Sequence, residues 1–156
     1  MEDCSGMVKV YQGNVEPLRP IALKWQAECN SENLGIDINI ETHLDDLQML
    51  VSRERSDLLV LIDGNEVIGY MGIAVIDSPV GEQVMANEHY WYVVPEKRGI
   101  ASVRLFKAAE LWAQVHRCSH ILMNASYLAS DLHDKVCRLY ERFGMEPFET
   151  TYIKKV

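Results

Sequence analysis

The stretch "DLLVLIDGNEVIGYMGIAVI", residues 57–76, constrains this chain most. Two apolar, β-rich runs flank Asp63-Gly64, and glycine supplies the positive φ that a tight hairpin turn needs. A sheet must therefore be built around this hairpin. "EHYWYVV", 88–94, is the most strand-like run of all, because aromatic and β-branched residues suit a half-buried pleated surface. Alternation puts Glu88, Tyr90, Tyr92 and Val94 on one of its faces and His89, Trp91 and Val93 on the other.

Helical periodicity fills the space around these strands. "MVKVY", 7–11, predicts a first strand. Pro17 and Pro20 introduce a helix to about residue 30, with Ile21, Trp25 and Cys29 on one stripe, and Gly35 terminates that region. A second helix is expected from Thr42, as its cap, to Arg55, with Leu44, Leu47 and Val51 as its apolar face. Residues 76–85 read as a loop. A helix follows from Val103 to about Arg117, then a strand in "HILMNASYLA", then an amphipathic helix from Asp131 to Phe143 closed by Gly144. "PFETTYIKKV" reads as a final strand. The order β-α-α-β-β-β-α-β-α-β predicts a mixed α/β domain, single over residues 1–156.

Composition narrows the function. A net charge of −8 argues against a surface that tracks nucleic-acid phosphates and suits a cationic substrate better. Nothing approaches the length of a membrane span. The N-terminus is acidic and has no apolar signal core. Cys4, Cys29, Cys118 and Cys137 form no CxxC, so a reduced, cytoplasmic protein is expected.

The stretch "VVPEKRGIASVRLFKAAELWA", 93–113, suggests a ligand. A strand stops at Pro95 and a helix opens at Arg98-Gly99 with no side chain placed to cap it. The first amides of a helix lack internal partners and the macrodipole is positive there, so such a mouth attracts anions. Gly99, Ala101 and Ser102 are small enough to let a diphosphate approach, while Arg98 and Arg104 add positive charge.

Together with the strand order, these residues resemble the GNAT superfamily of acyl-CoA-dependent N-acyltransferases. That family carries R/Q-x-x-G-x-G/A after such a strand and N-x-x-A-x-x-L-Y-x-x-x-G-F on a later helix. Here the glycine positions hold Ala101 and Val103, and the second motif reads His133-x-x-Val136-x-x-Leu139-Tyr140-x-x-x-Gly144-Met145. "EHYWYVVPEKRG" and "ETTYIKKV" are also similar to small acyltransferase-like proteins of tailed phages. The resemblance covers residues 58–156 best.

The resemblance implies transfer of an acetyl or other acyl group from acetyl-CoA to a primary amine, on a small molecule or a protein lysine, by direct attack in a ternary complex. It places the pyrophosphate on the backbone amides of Gly99, Ile100, Ala101, Ser102, Val103 and Arg104. It sets His133 in the cofactor motif and the pantetheine arm along Val93 and Val94. It makes Tyr140 the donor to the departing thiolate, a role a phenol can fill because it is protonated at neutral pH. Tyr140 also lies on the apolar stripe and could be a plain core residue. Glu88 is the first candidate for the base that deprotonates the amine, His89 the second, and a water chain the third. A homodimer through the C-terminal strands is a habit of the family. Alternatives are a degenerate, non-catalytic scaffold and a macromolecular acceptor, including a modified base.

Other constellations are weaker. His116 and His120 have an i,i+4 metal spacing but no further ligand nearby, so no metal is expected. No G-x-S-x-G elbow occurs.

Overall fold

The structure, a computed structural model, describes residues 6–129 and 131–156, so Cys4 lies outside the described residues. Strands β1 (Met7–Val10), β2 (Ser56–Asp63), β3 (Glu66–Asp77), β4 (Val84–Val93) and β5 (His120–Leu122) form one sheet in the order β1-β2-β3-β4-β5. Neighbours are antiparallel through β4, and β4 pairs β5 in parallel. Helices α1 (Arg19–Glu28), α2 (Ser31–Leu34), α3 (Ile40–Ser52), α4 (Ile100–Val115) and α5 (His133–Arg142) complete it, with short 3-10 turns at Glu16–Leu18 and Pro95–Lys97.

The predicted hairpin is β2–β3, with Asp63 paired to Glu66 around the turn and Gly64 at φ 61°. Its strands are buried on both faces because helices cover both. On one face α3 packs on β2 and β3, and α1 packs on α3; on the other α4 crosses β2, β3 and β4. Leu47 of α3, Leu58, Val60 and Met71 of the hairpin and Leu105 and Ala109 of α4 have essentially no exposed surface. Burial of such side chains is worth about 1.5–3 kcal/mol each, and that drives the layered arrangement.

Several boundaries differ from the sequence reading. Asn39, not Thr42, caps α3: its side chain accepts from the Thr42 amide at 3.1 Å. The helix after Pro95 starts at Ile100 rather than Val103, and β4 takes in Val84 and Met85 from the expected loop. "HILMNASYLA" forms only the three-residue β5. The expected final strand does not form: residues 145–156 join no sheet, and Phe148, Tyr152 and Ile153 are exposed. That segment has no buried face to supply the apolar gain a strand needs.

Candidate active site

Two irregularities in the sheet create the site. β4 and β5 pair only from Met85↔His120 to Asn87↔Leu122 and then part. Opposite this point the β3–β4 register jumps from Gly72↔Tyr90 to Ile73↔Glu88, leaving His89 as an extra residue in a bulge. Bulges bend a strand and re-aim its side chains. Gly72 lets α3 pack closely there: a Cβ would come within 2.5 Å of Leu50 Cδ1, which would have to move. The bulge breaks the expected alternation. The Tyr90 hydroxyl bonds to Asp46 on the α3 side, while Trp91 stacks on Tyr140 of α5 at 5.8 Å between ring centres. Glu88 turns into the gap, and His89 is exposed at its rim.

Glu88 and Tyr140 meet at one residue, Asn124. The Asn124 amide N–H and side-chain Nδ2 donate to Glu88 Oε2 at 3.0 and 3.2 Å, and Nδ2 also donates to the Glu88 backbone oxygen at 2.9 Å. The Tyr140 hydroxyl donates to the Asn124 backbone oxygen at 2.9 Å. Glu88 is only 5% exposed. Burial pushes its pKa up to about 7, against the lowering effect of the Asn124 hydrogen bonds. Burial also lifts Tyr140 above the ordinary phenol range, helped by the nearby Glu88 and Cys137. Sequence reasoning missed Asn124. The available signal was an asparagine, a residue depleted in strands, interrupting a run read as strand.

The mouth of α4 opens onto the same gap. Gly99 is its N-cap at φ 100° and ψ −116°, a conformation reserved for glycine, and no side chain caps the helix. The Val103 N–H already bonds the Gly99 oxygen at 3.1 Å, so Val103 and Arg104 belong to the helical ladder and their amides are not candidate donors. The orphan amides precede them, up to Ser102. Gly99, Ser102 and Val103 line the cavity. Ile100 is exposed, and Ala101 packs into the core, so the methyl standing where the family has glycine does not narrow the mouth.

The remaining sequence candidates divide. The Val94 N–H is taken by the Ile68 oxygen at 2.9 Å, facing β3, so it is not free for a ligand. By alternation, the backbone groups of Val93 point away from β3 toward the gap. The Arg98 Nε donates to the Val93 oxygen at 2.8 Å, and Arg98 Nη2 lies 3.0 Å from both Glu28 carboxylate oxygens. Arg104 instead donates to the oxygen of Gly6, the residue before β1, at 2.7 Å. His133 stacks on Tyr127 at 3.9 Å, pairs with Asp134, and lies outside the cavity wall. Lys135, Arg138 and Arg142, on α5, line the wall and were not anticipated, although their i, i+3, i+7 spacing puts them on one helix face.

These groups surround a cavity of about 660 Å³, within the range of small-molecule and cofactor sites. Among the described residues, no cluster of His, Cys, Asp and Glu could hold a metal. No helix of the described residues is long and apolar enough to cross a membrane.

A mixed sheet splayed between its fourth and fifth strands, with an uncapped helix mouth at the gap, is the α/β arrangement that the motif resemblance implies. The sequence bears this out: residues 21–145 match the Acetyltransferase (GNAT) family, and the chain belongs to that family. Solved structures share the fold. A tetramutant of the BH1408 protein from Bacillus halodurans superposes with a TM-score of 0.79 at 18% identity, over 96% of this chain and 99% of that one. A ribosomal-protein-alanine N-acetyltransferase from Brucella melitensis biovar Abortus 2308 gives 0.71 at 12% identity, over 96% and 99%. A GNAT family acetyltransferase from Staphylococcus aureus gives 0.66 at 15% identity, over 97% and 99%. No curated protein gives a significant match to the sequence.

Proposed function

We propose that the chain is a single-domain N-acetyltransferase that moves an acetyl group from acetyl-CoA to a primary amine in a ternary complex. The observation that carries this is the Glu88–Asn124–Tyr140 set, held at the point where β4 and β5 part and sharing one cavity with the open mouth of α4. The donor fits the residues present. Orphan amides up to Ser102 and the cations Lys135, Arg138 and Arg142 suit its phosphates, and the gap-facing backbone of Val93 suits the amides of its pantetheine arm. When bound, it supplies an activated thioester.

The chain's own groups do the rest. Glu88, with a pKa near 7, is half-ionised near neutrality and takes a proton from the attacking amine. The amine nitrogen bonds to the thioester carbonyl carbon as the carbon–sulfur bond breaks. Tyr140 donates to the departing sulfur. Because burial lifts Tyr140 above the ordinary phenol range, it holds its proton tightly and serves chiefly as a hydrogen-bond donor until the thiolate is nearly formed. Solvent takes the proton from Glu88 and restores that of Tyr140. Asn124 fixes both groups, so the rate gain is mostly positioning. The free thiols Cys29, Cys118 and Cys137 support a reduced, cytoplasmic setting.

Titration calorimetry with acetyl-CoA, followed by thiol-release assays on small amines and lysine peptides, tests the reading. Saturable binding and amine-dependent release are expected. Absence of heat at high micromolar acetyl-CoA would overturn the enzyme in favour of a scaffold.

A further inference from the structure

The cavity wall holds one ion pair that the chemistry above does not use. Glu28, the last residue of α1, and Arg98, the residue before the mouth of α4, face each other across the cleft, and both line it. The Arg98 guanidinium is doubly engaged: one nitrogen sits 3.0 Å from both Glu28 oxygens, and Nε holds the gap-facing Val93 oxygen at 2.8 Å. It also lies 5.7 Å from the Tyr92 ring, and Glu28 is near enough to Tyr92 to help burial raise the phenol's pKa. In this state Arg98 covers both the strand edge that a pantetheine arm needs and the carboxylate of Glu28.

Arg98 immediately precedes the Gly99 cap, so its side chain can reach an anion seated on the helix mouth. A diphosphate carries more charge than a carboxylate and takes an arginine fork readily. Drawing Arg98 to it leaves Glu28 without its guanidinium partner in a wall that Trp25, Tyr90 and Tyr92 also line. Aromatic faces beside a carboxylate are a cation site. Glu28 adjoins Tyr92, which pairs three ladder steps from Glu88 because His89 is bulged out, a backbone separation of roughly 10 Å. The reacting amine must be neutral and sit at Glu88, so the cation held at Glu28 is a second group on the same acceptor.

We propose that Arg98 exchanges between Glu28 and the donor's diphosphate, so that donor binding uncovers Glu28 to hold the distal ammonium of a diamine-type acceptor. The exchange rests on the acetyl-CoA reading above. It makes donor binding and the Arg98–Glu28 pair competitors, and the sign of that coupling is measurable. Glu28→Gln frees Arg98, and acetyl-CoA should then bind roughly two- to fivefold tighter by calorimetry, the factor expected for losing a partly exposed pair. With acetyl-CoA saturating, the same variant should raise KM for hexamethylenediamine and leave KM for hexylamine unchanged. Arg98→Gln should weaken acetyl-CoA binding and allow the diamine to bind the donor-free protein, which the wild type should not.

Failure of the wild type to bind acetyl-CoA would remove the enzyme reading itself. If the wild type binds acetyl-CoA and Glu28→Gln binds it equally or more weakly, Glu28 merely positions Arg98 and the exchange is wrong. Equal KM changes for the two amines would remove the second-cation site. Circular dichroism spectra matching the wild type check that each variant folds.

Discussion

A carboxyl group reaches a pKa near 7 only where it is nearly dry, and Glu88 shows how that is achieved. Its Oε2 receives two hydrogen bonds from Asn124, which favour the charged form, yet burial outweighs them. Glu88→Gln keeps the shape and removes the titration. We expect kcat/KM to fall by about 10²–10⁴ and the rise in activity through pH 7 to vanish, read from pH–rate profiles of the two proteins. A profile that keeps its limb near 7 in the variant would assign the base elsewhere, with His89 at the rim next in line. Tyr140→Phe should cost more than tenfold in kcat and leave acetyl-CoA affinity nearly unchanged, because the ring still stacks on Trp91 while the hydroxyl that reaches Asn124 is gone. Both residues were candidates in the sequence, one from an acidic side chain on the aromatic strand and one from its motif; the structure brings them together at Asn124, and places Glu88 in the middle of β4 rather than at its start. Asn124 was not a candidate, because its role depends on β5 ending after three residues, and a strand's end is set by what pairs with it.

Among the elements, the mouth of α4 explains why a motif can lose its glycines and keep its geometry. Neither of the motif's two glycine positions carries a positive φ; the positive φ falls two residues earlier, at Gly99. Ala101 spends its methyl in the core, and Val103 comes after the first helical hydrogen bond. Gly99→Ala adds a Cβ that meets nothing within 4 Å, so the change acts through backbone strain alone. We expect a loss of stability of about 1–3 kcal/mol in urea denaturation together with weaker acetyl-CoA binding, since relaxing the strain would rotate the amides at the mouth. The helices and the β2–β3 hairpin were readable from the sequence because period and turn chemistry are local. The bulge at His89 and the parting of β4 from β5 were not: both are features of how strands pair across the sheet, which no local pattern encodes. The final strand failed for the converse reason. Its alternation is real, but alternation describes a surface that something must cover, and nothing within the described chain covers it.

For the whole molecule, the two layers bury titratable groups of opposite sign. Between α1, α3 and the sheet, His43 is stacked on Trp25 and bonded to the Tyr70 hydroxyl, and burial pushes its pKa down to about 4, with Asp46 acting the other way. In the gap between β4 and β5, Glu88 is raised to about 7. Stability rises with pH wherever the unfolded chain binds more protons than the native one. For His43 that holds from about pH 4 to 6.5, so its contribution is lost as the pH falls through that window. For Glu88 the native state binds the extra proton, from about pH 4.5 to 7, so its contribution is lost as the pH rises. Each amounts to roughly 3 kcal/mol across its window at 1.36 kcal/mol per unit. The slopes oppose each other over most of the range, so the wild type should be nearly flat from pH 4.5 to 6.5. Glu88→Gln should uncover a stability that climbs with pH there, and His43→Gln one that declines toward pH 7. Urea midpoints for the three proteins across that range check both signs. Parallel curves would mean that neither group is as dry as the packing around it implies, and would also remove the physical basis for Glu88 as a base near neutrality.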